Sequence, residues 1–158
     1  MTLPSSGTTA AVRPLCQEDL ADVVRIDALH TGERKHDYWQ RIFVEFLGPG
    51  GREWTFGFGV EGEHGLAGYL FGEIRTVEFG SGPCGWVFAV GIEEDRMRRG
   101  HATALLDAAR CRFREAGIEK IRTMVRRNDV PVLSFFRASG FVGGPYVQLE
   151  LDGQEEGV

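Results

Sequence analysis

The chain has 158 residues, 42% hydrophobic and 26% charged, long enough to bury roughly two-thirds of its unfolded surface around one core. Eighteen Lys and Arg against 23 Asp and Glu give a net charge of -5, which argues against a general binder of nucleic acid or of anionic membranes. Cys16, Cys84 and Cys111 are an odd count without paired metal spacing, so neither a disulfide framework nor a metal site is expected and a reducing, cytoplasmic setting is.

Residues 1–9 and 153–158 read as loose polar ends, with no signal peptide pattern at the start. No apolar run between them approaches the ~20 residues of a membrane span. Ala10 to Arg13 suits a short first strand. A helix from Glu18 to Ala28 places Leu20, Val23, Val24 and Ala28 on one side, and another from Asp37 to Leu47 does the same with Trp39, Ile42, Phe43, Phe46 and Leu47 before Gly48-Pro49-Gly50-Gly51 stops it. Trp54 to Val60 and Leu66 to Phe79 then read as an antiparallel hairpin turning at Glu61 to Gly65.

Gly85 to Ile92 is almost wholly apolar, as expected of a strand buried on both faces. After it comes Met97-Arg98-Arg99-Gly100-His101-Ala102, opening a helix in which Ala102, Leu105, Leu106, Ala109, Phe113 and Ala116 recur at helical spacing up to Gly117. Arg and Gly at a helix start offer unpaired N–H groups, a positive dipole end and cationic side chains to one anion. A strand then alternates Ile121, Thr123 and Val125 with Arg122, Met124 and Arg126, a helix spans Pro131 to Ser139, and Val147, Leu149 and Leu151 alternate with Gln148 and Glu150 in a last strand. Strand, helix, strand across 85–126 predicts a right-handed parallel crossover beside the antiparallel hairpin, hence a mixed α/β sheet.

These residues resemble the GNAT superfamily of acyl-CoA-dependent N-acetyltransferases. Its signature of Gln or Arg, two residues, Gly, one residue, then Gly or Ala is met at Gly100 and Ala102, while Met97 stands at the leading position. Asn128 followed by Phe135-Phe136-Arg137-Ala138-Ser139-Gly140-Phe141 matches a second family feature in the right order. The resemblance implies a single N-acetyltransferase domain over 1–158, with a mixed, mostly antiparallel sheet of about six to seven strands flanked by helices and splayed between the fourth and fifth strands. It implies acetyl-CoA as cosubstrate: pyrophosphate on the loop residues Arg98, Arg99, Gly100, His101, Ala102 and Thr103, pantetheine along Val90, Gly91 and Ile92, and further contacts from Asn128 and Phe135. Gly91 serves either the approach of pantetheine or packing under a helix. The expected partners are acetyl-CoA and an amine acceptor, with a homodimer left open and no nucleic acid or membrane.

Acyl transfer needs a neutral amine, and deprotonating an alkylammonium of pKa near 10.4 at pH 7 costs about 4 to 5 kcal/mol. The family's frequent carboxylate position in the fourth strand holds Phe88 and Ala89 here, so Glu73 in the third strand is the candidate base, acting through water, with Glu78 next. The usual Tyr four residues before the Gly of Gly-Phe is Phe136; Tyr146 is the remaining candidate acid. Leu29 to Tyr38, joining the first two helices, is either part of an acceptor wall or a solvated connection. Besides an acetyltransferase, the missing acid and base allow a CoA-binding sensor without turnover.

Overall fold

A computed structural model describes residues 11–48, 54–93 and 100–153. In chain order these form β1 (Val12–Pro14), a 3-10 turn (Gln17–Asp19), α1 (Leu20–Thr31), α2 (His36–Leu47), β2 (Thr55–Gly62), β3 (Gly65–Arg75), β4 (Cys84–Ile92), α3 (His101–Glu115), β5 (Ile121–Thr123) and α4 (Val130–Ala138). They fall into two compact units, Met1–Met124 and Val125–Val158. The expected loose ends lie outside the described residues apart from Gly153.

The first unit is a five-stranded sheet in the order β1-β2-β3-β4-β5, antiparallel throughout except for the parallel β4–β5 pair. On one face α1 and α2 seal a core of Val23, Val24, Ile26, Trp39 and Phe43 against Leu15, Tyr69 and Phe71 of the strand layer. On the other face α3 buries Leu105, Leu106, Ala109 and Phe113, with the Phe113 ring 5.1 Å from that of Phe56 on β2. Burying each of the large side chains of α3 contributes about 1.5 to 3 kcal/mol, which is why an apolar stripe at helical spacing was enough to predict it. β3 stops at Arg75 rather than Phe79, because Glu78 and Ser81 close a tight bridge, with the Ser81 N–H donating to the Glu78 carbonyl at 2.7 Å.

Asp19 locks the first strand to the helices. Its carboxylate accepts two bonds from the Arg13 guanidinium, at 2.7 and 2.8 Å, and one from the Cys16 N–H at 2.9 Å. The Arg13 bonds hold the Asp19 carboxyl below its usual range. A depressed acid stabilises the fold above its unfolded pKa of about 3.9 and loses that contribution as pH falls through the lower folded value. Asp19→Asn should therefore cost about 2 kcal/mol at pH 7 in urea melts. The deficit should shrink as the wild-type carboxylate is protonated below about pH 4.

In the second unit, Asp129 caps α4 by accepting the Val132 N–H at 3.3 Å, and Pro131 sits in the first turn, where its missing N–H costs nothing. Phe136 is buried, its ring 5.2 Å from Phe135 and 5.0 Å from Phe141. The predicted last strand is not formed. Val147, Leu149 and Leu151 stand 70%, 89% and 96% exposed, and the described residues of this unit contain no strand to pair with them. Alternation supplies a strand's two faces but not its hydrogen-bonding partner. Five strands thus stand among the described residues where six to seven were expected, in the mixed, mostly antiparallel arrangement that was.

Candidate functional site

β4 changes neighbours along its length. It pairs with β3 from Cys84 to Ile92, but with β5 only from Gly85↔Ile121 to Val87↔Thr123, where the Thr123 hydroxyl donates to the Val87 carbonyl at 3.0 Å. Beyond Val87 that side of β4 has no strand neighbour among the described residues. At the same point β4 carries an extra residue: Phe71 faces Ala89 and Gly72 faces Val87, so Phe88 forms a bulge. This is the parting of the fourth and fifth strands that the resemblance implied.

The orientation of the open edge follows from one hydrogen bond. The Glu93 N–H donates to the Ala67 carbonyl at 2.9 Å. Alternation along an antiparallel ladder then turns the amides of Gly91 and Ala89 toward β3 and those of Val90 and Ile92 toward the open side. There the Ile92 carbonyl is met by Nε2 of His30, at the end of α1, at 2.5 Å. Val90 presents one donor and one acceptor to an extended, amide-bearing chain.

Gly91 has a clear structural reason. A Cβ there would lie 2.6 Å from two ring carbons of Tyr69 and 2.7 Å from its hydroxyl oxygen. Tyr69 is 3% exposed and hemmed in by Trp39 at 5.3 Å and Phe71 at 6.1 Å, and burial pushes its hydroxyl above the usual range. The ring cannot swing aside, so Gly91→Ala should destabilise the fold by about 2 kcal/mol. A double-mutant cycle with Tyr69→Ala should show less than additive loss; additivity would mean the ring does not feel the new methyl.

α3 opens at Gly100, whose φ of 75° is left-handed backbone that favours glycine. Its carbonyl accepts the Ala104 N–H at 2.9 Å. The N–H groups of His101, Ala102 and Thr103 therefore have no carbonyl within the helix to bond, the first turn holds no acidic residue, and Gly100 at the cap position has no side chain to offer. The dipole end is left positive. His101 is buried in that turn, Ala102 half-buried and Thr103 exposed. Met97, Arg98 and Arg99 lie outside the described residues.

A clamp that sequence spacing does not reveal fixes the exit of β4. Arg25 on α1 donates to the Glu93 carboxylate, to Asp22 at 3.2 Å and to the Leu66 carbonyl at 3.1 Å. Asp22 in turn accepts the Leu66 N–H at 3.2 Å. Apart from the i,i+3 pair of Asp22 and Arg25, the bonded groups stand 41 to 68 residues apart, so only the fold brings them together.

Glu73 sits on the face of β3 that also carries Phe71, directly between Thr55 of β2 and Trp86 of β4. Its carboxylate accepts the Arg75 Nε at 2.8 Å and its side chain is 23% exposed. Glu78 is buried and saturated, accepting from Trp86 Nε1 at 2.9 Å and lying 3.5 and 3.4 Å from Arg75 and Arg122. Phe88 lies on the same face, stacked on Phe46 of α2 with centroids 5.8 Å apart. The connection between α1 and α2 is tied down: Asp27 accepts the Trp39 indole N–H at 3.0 Å and lies 3.8 Å from Lys35 Nζ.

In the second unit, Asn128 is exposed, Phe135 half-buried and Tyr146 half-exposed. The sites proposed on β4, α3 and β3 thus all lie in the first unit, and Asn128, Phe135 and Tyr146 in the second.

The model of the acetyltransferase (GNAT) family matches residues 20–141. No curated protein sequence matches the chain. Among solved structures, the aminoglycoside N-acetyltransferase AAC(6')-Iy in complex with CoA superposes with a TM-score of 0.80 at 15% identity, covering 95% of this chain and 99% of that one. The apo aminoglycoside 6'-N-acetyltransferase AAC(6')-IG of Acinetobacter haemolyticus gives 0.76 at 14%, covering 92% and 99%. A protein of Bacillus halodurans described as a transcriptional regulator gives 0.76 at 16%, covering 91% and 99%. At these identities the likeness is one of fold.

Proposed function

Because the chain belongs to the acetyltransferase (GNAT) family, we propose that it transfers an acetyl group from acetyl-CoA to a primary amine by direct attack, with no covalent enzyme intermediate. The observation that carries this reading is the coincidence on β4 of a bulge at Phe88 and, beyond it, an edge without a strand neighbour among the described residues, followed in the chain by the glycine-led start of α3. The match crosses both units, which supports reading 1–158 as one N-acetyltransferase domain.

In this account the N–H groups of His101, Ala102 and Thr103, with Arg98 and Arg99, hold the pyrophosphate. Val90 to Ile92 pair with the pantetheine arm, and Asn128 and Phe135 complete the cofactor contacts. Backbone N–H groups at the bulge polarise the thioester carbonyl as its carbon becomes tetrahedral. Glu73, through water, takes the first proton from the ammonium; the neutral amine nitrogen then bonds to the carbonyl carbon, the C–S bond breaks as the tetrahedral intermediate collapses, and the second proton lost by the nitrogen passes by way of water or Tyr146 to the departing CoA thiolate.

A CoA-binding module without turnover is the second reading, favoured by Phe136, whose packed phenyl ring has no proton to give. Thiol release from acetyl-CoA across amines, polyamines, amino acids and peptides separates the two. The enzyme turns over at least one acceptor; the sensor binds CoA by calorimetry and releases no thiol with any.

A further inference from the structure

The face of the sheet around the bulge says what kind of amine fits. Trp86 and Phe88 of β4 and Phe46 of α2 line it, and Phe88 remains 40% exposed while stacked on Phe46. The Arg75 guanidinium lies 4.3 Å over the Trp86 ring, covering that indole and leaving Phe88 as the aromatic surface on offer. Charges on this face balance. Arg75 and Arg122 stand against Glu73 and Glu78, and Glu78, with 4% of its side chain exposed, is already met by Arg75, Arg122 and Trp86. Glu73, at 23%, is the carboxylate with open surface.

We infer that the acceptor is an amine carrying one positive charge and a flat apolar group, its ammonium directed to Glu73 and its apolar group laid on Phe88. The inference rests on the acetyltransferase reading and narrows its acceptor. A polycation would need several carboxylates with open surface, and among the described residues this face supplies one, Glu73, which already shares its charge with Arg75. A short alkylamine would leave the phenyl face of Phe88 wet. Burying an aryl ring on it releases that water and adds the preference of offset aromatic pairs.

The test compares kcat/KM for 2-phenylethylamine, n-propylamine and kanamycin by thiol release, with CoA affinity of each variant measured separately by calorimetry. The inference expects 2-phenylethylamine to exceed both others by at least about 10-fold. Phe88→Ala should reduce the aryl-over-alkyl preference to near parity through KM, with CoA affinity retained; Phe88→Leu, which keeps the volume, should give an intermediate preference if the alanine variant folds poorly. Turnover of n-propylamine or kanamycin equal to that of 2-phenylethylamine would overturn the acceptor class and leave the acetyltransferase reading standing. Thiol release with no amine of any class, while CoA still binds, would overturn both.

Discussion

Gly100→Glu is expected to weaken CoA binding by at least about 100-fold, near 2.7 kcal/mol, in a protein that still folds. The space around this glycine suits the test, since a Cβ there meets nothing within 4 Å among the described residues. The new side chain therefore does not wedge apart the core, and the left-handed backbone strain it adds, about 1 to 2 kcal/mol, falls on a helix terminus rather than on packing. What it does is bring a carboxylate to the positive end of α3, where the proposed function seats the pyrophosphate. Two like charges about 4 Å apart repel by roughly 4 kcal/mol at a near-surface effective dielectric, enough for the predicted loss. Gly100→Asn separates charge from strain, because Asn tolerates the left-handed region; its affinity should stay within several-fold of wild type. Equal loss in both variants would trace the effect to backbone rather than to the anion seat.

Glu73→Gln is expected to lower kcat by about 100-fold at neutral pH, the lower end of what a positioned base contributes, with CoA affinity unchanged. The amide keeps the size of the side chain and a carbonyl to accept the Arg75 bond, so the change removes proton affinity more than structure. The sign of the pH dependence follows from the amine. As pH rises toward the ammonium pKa near 10.4, more acceptor arrives already neutral and a base is needed less. The variant's deficit should therefore narrow with rising pH. A constant deficit would make Glu73 structural, and none would remove it from the mechanism.

Periodicity carried most of the first unit. The apolar stripes of α1, α2 and α3 placed those helices within a few residues, because burial of one face is a local property of the chain, and the glycine-containing turn at Glu61 to Gly65 did the same for the hairpin of β2 and β3. The loop at Gly100 was legible for a similar reason: a glycine ahead of an amphipathic run marks a helix start. The bulge at Phe88 was not, since it exists only as a mismatch between two paired strands. Nor were the His30 contact with Ile92, the Arg25 clamp or the Tyr69 ring over Gly91, all of which join residues 20 or more positions apart. Val147 to Leu151 erred the other way. The pattern there is that of a strand, yet pairing depends on a neighbour that the pattern cannot name.

The central claim is that one cofactor path runs from the open edge of β4 to the start of α3, and a crystal soaked with CoA tests it directly. The account predicts pyrophosphate oxygens within hydrogen-bond distance of the N–H groups of His101 to Thr103, and a pantetheine amide paired with Val90. CoA bound away from both, or a pantetheine arm that leaves the Phe88 to Ile92 edge bare, would contradict it.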